Sequence, residues 1–101
     1  MILKVFCIYD SAIEAYNQPF FMLTQKEAIR AFTNLANDPE SKIHQNPTDY
    51  HLYFIGAWDN ATGYLTQDTK LLSLGDARQY QTKETVENVK QLFPAKELKS
   101  S

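Results

Sequence analysis

The chain has 101 residues, enough for one domain with a real core and too few for two. Its net charge of −2 excludes a global basic field that would draw it to nucleic acid or acidic membranes, and a single cysteine, Cys7, excludes an internal disulfide. Apolar residues make up 44 % and aromatic residues 13 %, the latter high enough to predict aromatic packing or an aromatic surface.

Ile2 to Tyr9 opens the chain as a strand. Leu3, Val5, Cys7 and Tyr9 alternate with Ile2, Phe6 and Ile8, so both faces are apolar apart from Lys4, the pattern of a central strand buried on both sides. In that setting Cys7 reads as a small buried hydrophobe. The apolar run is too short to span a bilayer and no cleavage site follows it, so a soluble, intracellular protein is expected. Asp10-Ser11 ends the strand. Residues 12–18 fit either one helical turn or an ordered loop, and Pro19 biases Gln18 to an extended conformation ahead of a short strand over Phe20–Leu23.

Thr24 is a good N-cap, and Glu27 three positions on completes a capping box. Behind it Ala28, Ile29, Ala31, Phe32, Leu35 and Ala36 recur at helical steps, which predicts one apolar stripe. Asn37-Asp38-Pro39 stops the helix, because proline cannot donate the next backbone bond. Pro39 to Asp49 is a polar connection. Tyr50 to Trp58 is the second long strand, with Tyr50, Leu52, Phe54, Gly56 and Trp58 expected on one face and His51, Tyr53, Ile55 and Ala57 on the other. Residues 59–63 turn the chain, with Gly63 suited to positive φ, into a hairpin with Tyr64–Thr66. A further short strand follows over Lys70–Leu74, ended by Gly75-Asp76.

The expected fold is α+β: a small, mainly antiparallel sheet of four to five strands with one well-defined helix on one face. Residues 1–81 form the domain, and residues 82–101 a C-terminal helix, with Thr82 as cap and Val86, Val89 and Phe93 as its apolar line, or a partly ordered tail. One helix covers one sheet face, yet both long strands are apolar on both faces. The C-terminal helix, a second copy of the chain, or bases stacking on exposed rings could cover the other.

Chemistry-bearing constellations are sparse. His44 and His51 around Asp49 fall short of a ligand set and read as solvated side chains; Asp59 and Asp68 lack the spacing of a calcium loop. No metal, cofactor or catalytic residue is expected, and the chain does not read as an enzyme. A nucleic-acid surface, if built, would use Lys26 and Arg30 on the outer side of the helix, Lys42 in the following loop, and Lys70 and Arg78 on and after the last strand. Tyr16, Tyr53 and Trp58 would stack on bases or line an oligomer interface. Arg30 could equally pair with Glu27 or Asp38. Residues 1–81 carry six Lys/Arg against nine Asp/Glu, and residues 82–101 four Lys against three Glu, so the tail is the end less repulsive to a polyanion.

A series of short pieces, in order, carries a family likeness: I-Y-D at Ile8–Asp10, A-x-x-A-Y at Ala12–Tyr16, Q-P-F-F at Gln18–Phe21, A-I-R-A-F at Ala28–Phe32 and N-D-P at Asn37–Pro39. It continues with P-x-D-Y at Pro47–Tyr50, I-G-x-W-D at Ile55–Asp59, Thr62-Gly63 and S-L-G-D-A at Ser73–Ala77. Together, over about residues 3–80, these resemble the small nonstructural protein of gokushovirus-type microviruses, tailless single-stranded DNA phages. The resemblance implies a protein of the infected bacterial cytoplasm, described as DNA-binding and tied to single-stranded genome synthesis for packaging. It carries over no site residues. The expected function is therefore a part in viral genome replication, through single-stranded DNA or through a phage or host replication protein. The alternative is a homo-oligomeric protein-interaction module without direct DNA binding. A homo-oligomer, a dimer favoured, and no membrane are expected. The acidic composition suits action through the replication machinery, or DNA binding by an oligomer whose weak basic patches add.

Overall fold

Strand β1, Ile2–Asp10, is the axis of the sheet in the computed structural model, which describes residues 1–82. Its C-terminal end pairs with the two-residue strand β2, Ala15–Tyr16, and its middle with β3, Phe20–Met22; along its other edge it pairs over its whole length with β4, Tyr50–Asp59. Strand β5, Leu65–Asp76, adds to β4, so the order across the antiparallel sheet is β2-β1-β4-β5 with β3 also on β1. Neighbours on both edges pair its backbone, while its two-sided apolar sequence calls for cover on both faces of the sheet.

Residues 12–18 resolve as a turn and strand β2 rather than a helical turn. Glu14 takes a positive φ of 55°, and Asn17 donates its N–H to the Ile8 carbonyl at 2.8 Å, holding the segment against β1. The two short strands expected over 64–66 and 70–74 are one strand, β5. The strand runs on through the polar residues Gln67-Asp68, but its pairing with β4 shifts register there, from Gln67 opposite Gly56 to Leu72 opposite Phe54, an irregularity that an edge strand paired on one side only tolerates.

Helix α1, Gln25–Ala36, starts and stops where its caps predict. The Thr24 side chain accepts the Glu27 N–H at 3.2 Å, and Asn37 closes the last turn through its N–H to the Thr33 carbonyl at 3.1 Å. The return bond of a full capping box, from the Thr24 N–H to Glu27, is not made among the described residues. The buried stripe is Ala28, Phe32 and Ala36; Leu35, expected on it, is 39 % exposed. With Phe6, Ile8 and Leu52 of the sheet these residues form one core, joined by Ile43 and Ala77. Phe6 stacks on Phe20 and meets Phe54 edge-on, with centroids at 5.8 and 5.5 Å.

The polar connection after α1 contains a further turn of helix, α2, Lys42–Gln45, capped by the Ser41 hydroxyl accepting the Ile43 N–H at 3.1 Å. This turn drives Ile43 and His44 inward. His44 is therefore a structural residue and not a solvated one: it is 4 % exposed, and its Nδ1 bonds the Ala36 carbonyl oxygen at 3.1 Å. Asp76 caps a 3-10 turn over Ala77–Tyr80, after which Gln81 donates its side-chain amide to the carbonyls of Ala36 and His44 at 3.1 and 3.2 Å. Asn37 receives the Thr82 N–H at 2.8 Å. The chain thus arrives at residue 82 on the helix side of the sheet. The helix or tail expected over 82–101 lies, apart from Thr82, outside the described residues.

Candidate functional site: the open face of the sheet

The alternation of β4 breaks once. Val5 pairs with Gly56 but Phe6 pairs with Phe54, so Ile55 is the extra residue of a β-bulge. The single expected face Tyr50, Leu52, Phe54, Gly56, Trp58 is therefore split. Tyr50, Leu52 and Phe54 point to the helix with Ala57, while His51, Tyr53, Ile55, Gly56 and Trp58 belong to the other side. A Cβ at Gly56 would stand 2.2 Å from the Thr66 carbonyl oxygen, so the close approach of β5 at the bulge requires glycine there.

The side away from α1 is the candidate site. Leu3, Val5, Cys7 and Tyr9 of β1 form its midline. Two ring clusters lie over them. Tyr9, Tyr16 and Tyr53 meet with centroids 4.7 and 5.9 Å apart, and Phe21 lies 5.3 Å from Trp58. These rings do part of the covering that a second helix would do elsewhere, so Val5 and Cys7 beneath them are only 2 % and 4 % exposed. The rings themselves stay open at the top: Tyr16 is 51 % and Phe21 45 % exposed, with Leu65 at the margin 66 %. Between the clusters lie two shallow concavities of about 160 and 320 Å³, both lined by Pro19, Ile55 and Gln67.

The interior of this face carries no formal charge. Asp76, opposite His51 at one end of the sheet, is the carboxylate on its margin, and its Oδ1 accepts the Gln79 N–H at 3.3 Å. Burial pushes the Cys7 thiol pKa up, which keeps it neutral and unreactive. The Tyr16 hydroxyl is also raised, by desolvation first and then by Tyr53, Cys7 and Tyr9 beside it.

The five basic residues singled out from sequence lie elsewhere. Lys26 and Arg30 are exposed on α1, Lys42 on α2 and Arg78 on the 3-10 turn. Lys70 is exposed on β5 two positions from Leu72, which pairs with Phe54, so it too points to the helix side. Arg30 forms no ion pair among the described residues; the one present joins the Met1 ammonium to Asp59 at 3.7 Å. The structure brings Tyr53 and Tyr16 together, sets Trp58 at the far end of the same face, and brings none of the five cations to it. Tyr9, Phe21, Ile55 and Leu65 belong to the face and were not singled out from sequence. The parity of β1 pointed to Tyr9, but Phe21 and Leu65 join only through pairing with β1 and β4. Among the described residues no three His, Cys, Asp or Glu side chains gather as a metal site, and no helix is long and apolar enough to cross a membrane.

Fold and face together define a small α+β protein with a helix-covered side and an open, uncharged aromatic side. The chain belongs to the Phage ORF5 protein family, whose model matches residues 3–80, and is thus a bacteriophage protein. No curated protein and no solved structure matches it.

Proposed function

We propose that this phage protein is a nonenzymatic accessory of viral genome replication in the host cytoplasm, of the gokushovirus nonstructural type, and that it works by binding through its open sheet face. The observation that supports this reading is the uncharged face with its two ring clusters over Val5 and Cys7, which no described element covers.

Two kinds of ligand suit rings on a sheet: bases of single-stranded DNA, and apolar protein surface. The charge layout favours protein. A strand with its bases on Tyr16, Tyr53 or Trp58 would run its phosphates over a surface without cations, and phosphate neutralisation supplies most of the affinity in such complexes. DNA contact, where it occurs, uses Lys26, Arg30, Lys42, Lys70 and Arg78 on the helix side and stays weak, because those charges are dispersed.

A mobility shift on single-stranded DNA at low salt, followed by salt titration, tests this. The expected result is weak binding, a shallow salt slope, and a further loss in Arg30→Ala but none in Tyr16→Ala. Tight binding that Tyr16→Ala abolishes would assign the rings to bases instead.

A further inference from the structure

We propose that the occupant of the open face is a second copy of this chain, docked face to face about a twofold axis, so that the replication protein acts as a homodimer. The inference rests on the reading of that face as a protein-binding surface and names its partner.

Charge selects the partner first. Each copy carries a net charge of −2, so two copies repel wherever their charged surfaces meet, and least where the meeting surfaces hold no charge. The open face is that surface. A partner with a charged patch would leave its charges desolvated and unpaired against these rings; the face itself meets the requirement.

Shape points the same way. A twofold interface must be complementary to itself, so it needs a projection and a depression on one patch. Tyr16 is the most exposed ring of the face, and on the same face, beside Phe21, the concavity over Val5, Ile55 and Gly56 has a volume of about 160 Å³. A cavity of about 150 Å³ accommodates a benzene ring. One ring from the facing copy therefore fits, and the symmetry supplies the exchange twice.

The area is of the required order. Aromatic side chains offer about 150–250 Å² each. With Tyr16 and Phe21 about half exposed, Leu65 more so, and Tyr9, Tyr53 and Trp58 in part, the face offers several hundred Å² per copy. A standard interface takes about 800 Å² per partner. The described chain ends on the opposite side of the sheet, where the Asn37 Oδ1 accepts the Thr82 N–H, and residues 83–101 are the competing occupant that the variants below test.

Sedimentation velocity of the full chain over a wide concentration range tests the proposal, with the emission of Trp58, the one tryptophan, as a reporter on the face itself. A concentration-dependent dimer is expected, with a blue shift of Trp58 emission as it forms. Leu65→Lys and Tyr16→Lys, each placing like charges across the twofold, are expected to raise the dissociation constant about tenfold or more while the circular dichroism stays unchanged. The full-length double variant Val89→Lys/Phe93→Lys is expected to dimerise normally.

A folded wild type that stays monomeric overturns the dimer and leaves the replication reading to be judged by the DNA titration. A dimer indifferent to both face variants uses another surface and also overturns it. Loss of association in the Val89→Lys/Phe93→Lys variant assigns the dimer contact to residues 83–101 instead. A monomer whose Trp58 emission is quenched by oligothymidylate assigns the face to bases.

Discussion

Gly56 and Thr66 touch backbone to backbone: the Thr66 carbonyl oxygen would lie 2.2 Å from any Cβ at position 56. That contact sits at the bulge at Ile55, which turns Trp58 to the open face. Gly56→Ala must push β5 away or flatten the bulge, and overpacking of this kind costs about 1–3 kcal/mol or more. Urea unfolding is expected to show that loss, together with altered Trp58 emission in the folded state. An unchanged midpoint would mean that the two strands separate freely there.

Core and face should respond differently to truncation. Phe32 is 1 % exposed, packed between the sheet and Tyr80, whose ring centroid lies 5.8 Å away. Phe32→Ala is expected to cost about 3–5 kcal/mol. Tyr16→Ala, at a half-exposed ring, is expected to cost well under that in the monomer and to act on association instead. Equal losses of stability would mean the rings are core.

Asn37 ties α1 to the chain's exit. Its side-chain amide donates to the carbonyls of Thr33 and Tyr80 at 2.8 and 3.0 Å, and its Oδ1 accepts the Thr82 N–H. Net contributions of about 0.5–1.5 kcal/mol for each of these three bonds predict a loss of about 1.5–4.5 kcal/mol in Asn37→Ala. Hydrogen exchange is expected to show the Thr82 amide losing protection before the amides of α1.

Asp59 gives the hairpin an acid limit. Its carboxylate lies below the ordinary range, chiefly because it accepts the Ala61 N–H at 2.9 Å, helped by the Met1 ammonium. A carboxyl with a lowered folded pKa contributes stability that is present above its unfolded value, about 3.9, and is lost as pH falls through the folded value. Asp59→Asn should remove that part of the acid-side loss and leave the neutral-to-alkaline profile unchanged. Thermal melts from acid to neutral pH in both proteins check the sign.

Cys7 reports on the rings above it. Burial raises its pKa, so alkylation at mildly alkaline pH is expected to be slow in the native protein and to reach the free-thiol rate in denaturant. Native alkylation at the free rate would show that the ring layer does not stay closed over β1.

Much of this fold is local, and local features are legible in a sequence. The span of α1 follows from Thr24 at one end and Asp38-Pro39 at the other, because a cap and a proline act within one turn. The hairpin turn at Gly63, with φ of 79°, and the two-sided burial of β1 follow in the same way from single residues and simple alternation. The burial of His44 was not legible, because it depends on a short helix docked against the end of α1 at Ala36 and held there by Gln81, which is distant in sequence.

What the sequence by itself determined is therefore an α+β chain with one capped helix and more apolar strand than that helix covers. Only the tertiary structure decided which residues share the uncovered side. The bulge at Ile55 reverses the parity of β4 at a point fixed by the strands on either side of it, so the rings that meet there cannot be read from the spacing of β4 alone. The separation of the cations from the rings is a tertiary matter too: Lys26, Arg30, Lys42 and Arg78 ride on α1, α2 and the 3-10 turn, whose buried residues pack on the other side of the sheet.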